Sequence, residues 1–163
     1  MISNAYRSVI FRQANQARIH GTFKNWRSIE RVHLLDETIA FDIDGAAGQA
    51  FRIYQAAFNR TPDKAGLGFW INSMDHGASL NEVARGFVNS AEFSALYGSN
   101  PANADIVTRV YTNVLHRAPD AGGAAFWTDV LNGHRATVPE VLAQFSESPE
   151  NKAALVGGDA IRN

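Results

Sequence analysis

A chain of 163 residues, 45% hydrophobic and 19% charged, has the length of one domain, or of one with a small appendage, and an ordinary globular composition. It has no cysteine, which excludes disulfides, thiolate metal sites and cysteine nucleophiles, and no apolar run approaches the ~18–20 residues of a spanning helix. The formal charge of −1 conceals a basic arm, because residues 1–34 carry Arg7, Arg12, Arg18, Lys24, Arg27 and Arg31 against Glu30 alone. That arm can dock on the acidic remainder or meet nucleic acid or another polyanion. Its arginines also interrupt the apolar run that an N-terminal signal peptide needs.

In chain order, the first elements predicted are strands. Tyr6–Phe11 is rich in β-branched and aromatic residues, Gln13–Gln16 is turn-like, and Ala17–His20 stops at Gly21, which predicts a short hairpin. Ile29, Arg31, His33 and Leu35 alternate with Glu30, Val32 and Leu34, and Asp36-Glu37 can turn the chain back through Thr38–Phe41. From Asp42 onward the apolar period changes from two to about 3.6. Ala47, Phe51, Tyr54 and Phe58 share one stripe, then Leu67, Trp70, Ile71 and Met74, then Leu80, Val83, Ala84, Phe87 and Val88. Three amphipathic helices are therefore predicted in succession. Asp44 precedes the first, Asp63 or Thr61 the second, and Ser79-Leu-Asn-Glu82 forms a capping box for the third.

The pattern then occurs again. Residues 53–70 align with 110–127 at a constant offset of 57, with Tyr, Arg, Pro, Asp, Gly, Phe and Trp recurring in place. After one inserted residue the match resumes at offset 58, where Ser79, Glu82, Val83 and Phe87 face Thr137, Glu140, Val141 and Phe145, and Ser90-Ala-Glu92 faces Ser148-Pro-Glu150. Gly98–Asn103 reads as the linker between copies. Helices apolar on one face cannot bury that face alone, so the copies are expected to share one core.

The fold expected is α+β and mostly α: small N-terminal antiparallel β hairpins, residues 1–43, packed on a helical bundle, residues 44–163, made of two duplicated three-to-four-helix units. Tyr54 and Tyr111, Phe69 and Phe126, and Trp70 and Trp127 are expected in that core, with ligand stacking as the other use of such rings. Gly66 and Gly123 stand inside predicted helices, where each costs ~1 kcal/mol relative to Ala, and so imply a close helix–helix approach there. Arg60 with Asp63, and Arg117 with Asp120, flank a proline at the corner between helices. They either brace and cap that corner or bind a ligand.

Catalytic motifs are missing: there is no G-x-S-x-G, no Gly-rich phosphate loop and no H-E-x-x-H, and the five histidines are scattered. No catalytic residue and no cofactor is therefore expected. Asp42-Ile-Asp44-Gly45 contains part of a calcium loop, but Ala40 and Phe51 fall where the first and the bidentate ligands belong, so a helix-capping turn competes with a partial calcium site at Asp42 and Asp44. Asn59-Arg-Thr61 matches a glycosylation sequon.

Residues 49–63, Gly66–Trp70, Phe87–Phe93 and, in the second copy, Phe145–Asn151 closely resemble the bacterial domain-of-unknown-function family numbered 4214, over about residues 44–160. That family is distantly similar to the helical domain of phycobilisome linker polypeptides, which implies an assembly role. Its members commonly sit in secreted or surface-attached bacterial proteins, including adhesin-like and haemolysin-type calcium-repeat proteins. Residues 26–42 resemble the β-hairpin stretch that often precedes this domain, with Glu37 where a turn glycine is common. The resemblance implies a non-catalytic module at the cell surface or outside the cell, contacting another protein or a surface polysaccharide. Two other functions stand beside it: a small enzyme with a pocket between the helical halves, and polyanion or nucleic-acid binding through the basic arm.

Overall fold

The computed structural model describes residues 9–11, 31–33, 38–40 and 42–157. Eight helices lie among them. The first copy folds as α1 (Ala46–Phe58), α2 (Lys64–Asp75), α3 (Leu80–Val88) and α4 (Ala91–Tyr97). The second folds as α5 (Asn103–Leu115), α6 (Ala121–Asn132), α7 (Val138–Ser146) and α8 (Pro149–Gly157). No helix among the described residues is long and apolar enough to cross a membrane.

The helix boundaries follow from side chains that satisfy the first-turn N–H groups. Asp63 Oδ1 accepts from Gly66 N–H and Asp120 Oδ1 from Gly123 N–H, each at 2.8 Å. Glu82 reaches back to Ser79 N–H and Glu140 to Thr137 N–H, each at 2.7 Å, so the reciprocal cap is built into both copies. The corners that end α1 and α5 are duplicated too: Asn59 (φ 51°) and His116 (φ 52°) both take the left-handed conformation. At α1 the cap differs from the one expected. Asp42, rather than Asp44, accepts from Ala47 N–H at 3.0 Å.

Helix α1 is the hub, in contact with α2, α3, α4, α5 and α7. Its sequence explains this, because Ala47, Ala50, Ala56 and Ala57 are fully buried and keep that surface thin enough for neighbours on several sides. The single stripe through Phe51 and Phe58 is therefore widened; both phenylalanines are only half-buried, while Ile53 is fully enclosed. Helix α7 packs on both α1 and α3, and α5 packs on α1. One apolar cluster accordingly joins Ile53, Val83 and Phe87 of the first copy to Val110, Val141 and Phe145 of the second. A smaller cluster of Ala40, Ala47, Ala50, Leu67 and Ile71 lies beside it.

The α+β class with small N-terminal antiparallel hairpins is corrected. The described fold is helical, and ahead of it, among the described residues, stand three strands of three residues each: β1 (Val9–Phe11), β2 (Arg31–His33) and β3 (Thr38–Ala40). They are ordered β1-β3-β2, with β1 parallel to β3 and β2 antiparallel to it. A two-hairpin arrangement would need β1 to turn back on its own neighbour, whereas parallel pairing joins segments far apart in sequence. Local composition cannot report such a partner. The returning segment Ala17–His20 and the turn Asp36-Glu37 lie outside the described residues, as does most of the basic arm.

Candidate functional site

At the corner between α1 and α2, Arg60 leaves the left-handed turn and makes a two-pronged ion pair with Glu92 on α4, Nε to Oε1 at 2.6 Å and Nη2 to Oε2 at 2.9 Å. Its Nη1 donates to the Thr61 carbonyl at 3.0 Å, and Asp63 Oδ2 lies 3.9 Å from Nη2. The guanidinium also stands 5.2 Å from the centroid of the Tyr54 ring and 5.6 Å from that of Phe58, within the range of cation–π attraction. The hydrogen bond from Arg60 holds the Glu92 carboxyl below the usual carboxylate range, and the same bond raises the guanidinium's own value. Arg60 and Asp63 thus share one corner, but their principal engagements are with Glu92 and with the first turn of α2.

Behind them, Tyr54 packs edge-on against Phe87 at 4.6 Å. Burial, reinforced by the Asp63 carboxylate and opposed by Arg60, pushes its phenol above the ordinary value; a hydrogen bond with the Trp70 indole acts in the opposite sense. The Tyr54 hydroxyl lies so close to Gly66 that a Cβ there would collide with it. The same holds for Tyr111 and Gly123. In place of the close helix–helix approach expected at these glycines, a tyrosine hydroxyl rests on the helix backbone. Gly86 is another such place, since a Cβ would strike the Trp70 ring, which lies 5.3 Å from Phe87. An open hollow of about 180 Å³ remains at the surface, walled by Tyr54, Phe58 and Trp70 and rimmed by Arg60, Asp63 and Glu92. All of its lining residues come from the first copy.

The second corner repeats the plan more loosely. Arg117 pairs with Glu150 at 3.2 and 3.4 Å and stands 5.4 Å from the Tyr111 centroid. Asp120 is committed to capping α6, and the Gly123 N–H it accepts from draws its carboxyl below the usual range. Of the residues that line the hollow, two differ in the second corner: Leu115 takes the place of Phe58, and Gln144 that of Gly86.

Phe69 and Phe126 depart from the core position expected for them. They are 59% and 57% exposed, and each meets the following tryptophan edge-on, at 4.9 and 5.2 Å. Both copies therefore present a large ring to solvent at the same helical position. The neighbouring tryptophan turns inward on each helix, so the period alone could not tell which of two adjacent rings would be covered.

Asp42 and Asp44, the residues of the partial calcium loop, take different engagements around the start of α1. Asp42 caps α1, and Asp44 is 88% exposed with Lys152 3.9 Å away. Among the described residues no group of three or more His, Asp or Glu side chains is placed to hold a metal. The expected sites also omitted the carboxylates that engage the arginines. Glu92 and Glu150 recur at offset 58, and that recurrence was the available signal.

A buried pair carried no such signal. Arg52, 2% exposed, donates Nε to Glu147 Oε1 at 2.6 Å, Nη2 to Oε2 at 2.8 Å, and Nη1 to the Ile43 carbonyl at 2.5 Å. Lys152 adds a contact to Glu147 at 2.9 Å. This pair ties α1 of the first copy to the end of α7 in the second. Its counterparts differ, because Arg109 stands 5.2 Å from the Tyr97 ring centroid and Asn89 takes the position of Glu147.

Compared with known proteins, residues 50–97 and 84–155 match the family described as Domain of unknown function (DUF4214). No curated protein and no solved structure matches.

Proposed function

Because the chain belongs to the DUF4214 family, we propose that it is a non-catalytic binding or assembly module that contacts another protein or a surface polysaccharide. The observation that carries this reading is the matched exposure of Phe69 and Phe126. A large ring left more than half exposed gains little from folding, yet the same ring stands at the same position of both copies, each braced by a tryptophan. Aromatic anchors of this kind dominate the energetics of recognition surfaces. The two arginine–aspartate corners support the same reading, since each is engaged within its own copy by a carboxylate and a helix cap. The setting we propose is the bacterial surface or the extracellular medium, as the family resemblance implies.

The test uses the labelled chain on a glycan array and on fixed bacterial cells, beside Phe69→Ser, Phe126→Ser and the double variant. Each single change should weaken retention, and the double should reduce it by more than about tenfold, the equivalent of one lost anchor of ~1.4 kcal/mol. Unaltered retention of the double variant overturns the reading.

A further inference from the structure

We infer that the first-corner hollow, formed by Tyr54, Phe58, Trp70, Arg60, Asp63 and Glu92, holds a single neutral sugar ring. This inference rests on the binding-module reading and names a ligand class for one of its surfaces. Its volume, about 180 Å³, falls below the ~300–1,000 Å³ of pockets that enclose drug-sized ligands, so it fits one ring rather than a chain segment. Charge narrows the choice further. Asp63 and Glu92 outnumber Arg60, which disfavours an anion. A cation is the usual occupant of an aromatic cage beside carboxylates, but Arg60 already occupies the faces of Tyr54 and Phe58. What remains is an uncharged ligand with many hydroxyls and one apolar face, set against Trp70, the wall ring outside those two arginine contacts.

The polar rim suits hydroxyls. A guanidinium has five N–H groups, and Arg60 commits three of them, to the two Glu92 oxygens and the Thr61 carbonyl. Asp63 caps α2 through Oδ1 and keeps Oδ2 on the Arg60 side. Donors and acceptors therefore alternate along the rim, already fixed by their mutual bonds, and ordering them on binding costs little. The aromatic wall depends on Gly86, where Trp70 lies against bare backbone. The second copy has Gln144 there and Leu115 for Phe58, so the inference assigns the sugar to the first corner alone.

The experiment is a titration of the intact ¹⁵N-labelled chain with glucose, galactose, mannose and N-acetylglucosamine, following the indole N–H signals of Trp26, Trp70 and Trp127. At least one sugar should shift the Trp70 signal saturably, with a Kd of about 1 mM or weaker for so small a ligand, while Trp127 stays in place. Tetramethylammonium, the cation-cage probe, should leave Trp70 unmoved. Gly86→Gln, which imports the residue of the second copy, should abolish the shift while far-UV circular dichroism stays native. The inference is overturned if no sugar moves Trp70 up to ~100 mM, about a hundred times that Kd, if Trp70 and Trp127 move equally, or if tetramethylammonium moves Trp70 and the sugars do not. Phe-dependent retention on cells together with a silent Trp70 sinks this inference and leaves the module reading standing.

Discussion

Replacing Glu147 with glutamine would remove one charge from the pair that fastens the two copies together. The change deprives Arg52, 2% exposed, of its counter-charge and disturbs carboxylate contacts at 2.6 and 2.8 Å, with the Lys152 contact at 2.9 Å lost as an ion pair. Breaking a buried pair from one side costs roughly 3–5 kcal/mol. Glu147 is 20% exposed and admits some water, which puts the expected loss at the lower end, ~3 kcal/mol. At ~2–4 °C per kcal/mol for a chain of this size, the midpoint of thermal unfolding should fall by about 6–12 °C. Replacing both partners by apolar residues, Arg52→Met with Glu147→Leu, should recover most of the loss, because no buried charge is then orphaned.

The pH dependence follows from the same contacts. Burial pushes the Glu147 carboxyl up, but the hydrogen bonds from Arg52 and Lys152 outweigh it and leave the group below its ordinary value of 4.5. A carboxyl that binds its proton more weakly in the folded state stabilises the fold above its unfolded value and loses that contribution as pH falls through the folded one. The difference between the native chain and Glu147→Gln should therefore be full at neutral pH and shrink below about pH 4.5. Urea unfolding at several pH values measures it. A loss under ~1 kcal/mol at pH 7, the scale of an exposed pair, or a double variant as unstable as the summed singles, would refute the reasoning.

The glycines on which tyrosine hydroxyls rest make a second test. Gly66→Ala and Gly123→Ala should each destabilise by ~1–3 kcal/mol despite a better helix propensity, and Tyr54→Phe or Tyr111→Phe should relieve the matching alanine in a double-mutant cycle. The Tyr97 hydroxyl donates to the Ala57 carbonyl at 2.9 Å and accepts from Asn113 at 3.2 Å, so Tyr97→Phe should cost ~1–2 kcal/mol in urea unfolding. Burial pushes the Tyr97 phenol up to about 12, against the partial opposition of Arg109 and Asn113. Its contribution is present below pH 10 and declines as pH rises towards 12, which ultraviolet titration of tyrosinate alongside unfolding would register. Phe69→Ser and Phe126→Ser, in contrast, should change stability by no more than ~0.5 kcal/mol, and calorimetry showing a larger loss would mean that these rings support the fold.

The helical part of this architecture was readable because each copy annotates the other. A capping box or an Arg-x-Pro-Asp corner seen once is a weak sign; seen again at a fixed offset, it marks a unit of structure. Thus Ser79 with Glu82, Thr137 with Glu140, and both aspartate caps stand where the spacing put them. Features that one copy alone possesses left no such trace. The Arg52–Glu147 pair spans 95 residues and has no twin, so nothing local marked Arg52 as a buried side chain. Adjacent rings such as Phe69 and Trp70 differ by one helical step, and their fates depend on where α3 lies, which is a tertiary fact. The first hairpin failed for a related reason: β-rich composition at Val9–Phe11 says nothing about a parallel partner at Thr38–Ala40.

The mixed cluster that unites Ile53, Val83 and Phe87 with Val110, Val141 and Phe145 makes the two copies resemble an obligate homodimer whose subunits have been fused. In a free dimer the seam would be governed by concentration, whereas here a tether of five residues between Tyr97 and Asn103 supplies an effective concentration in the millimolar range or above. Cutting the chain within that tether should consequently leave the halves associated, and diluting the nicked protein would then expose a dissociation step that the intact chain never has to face.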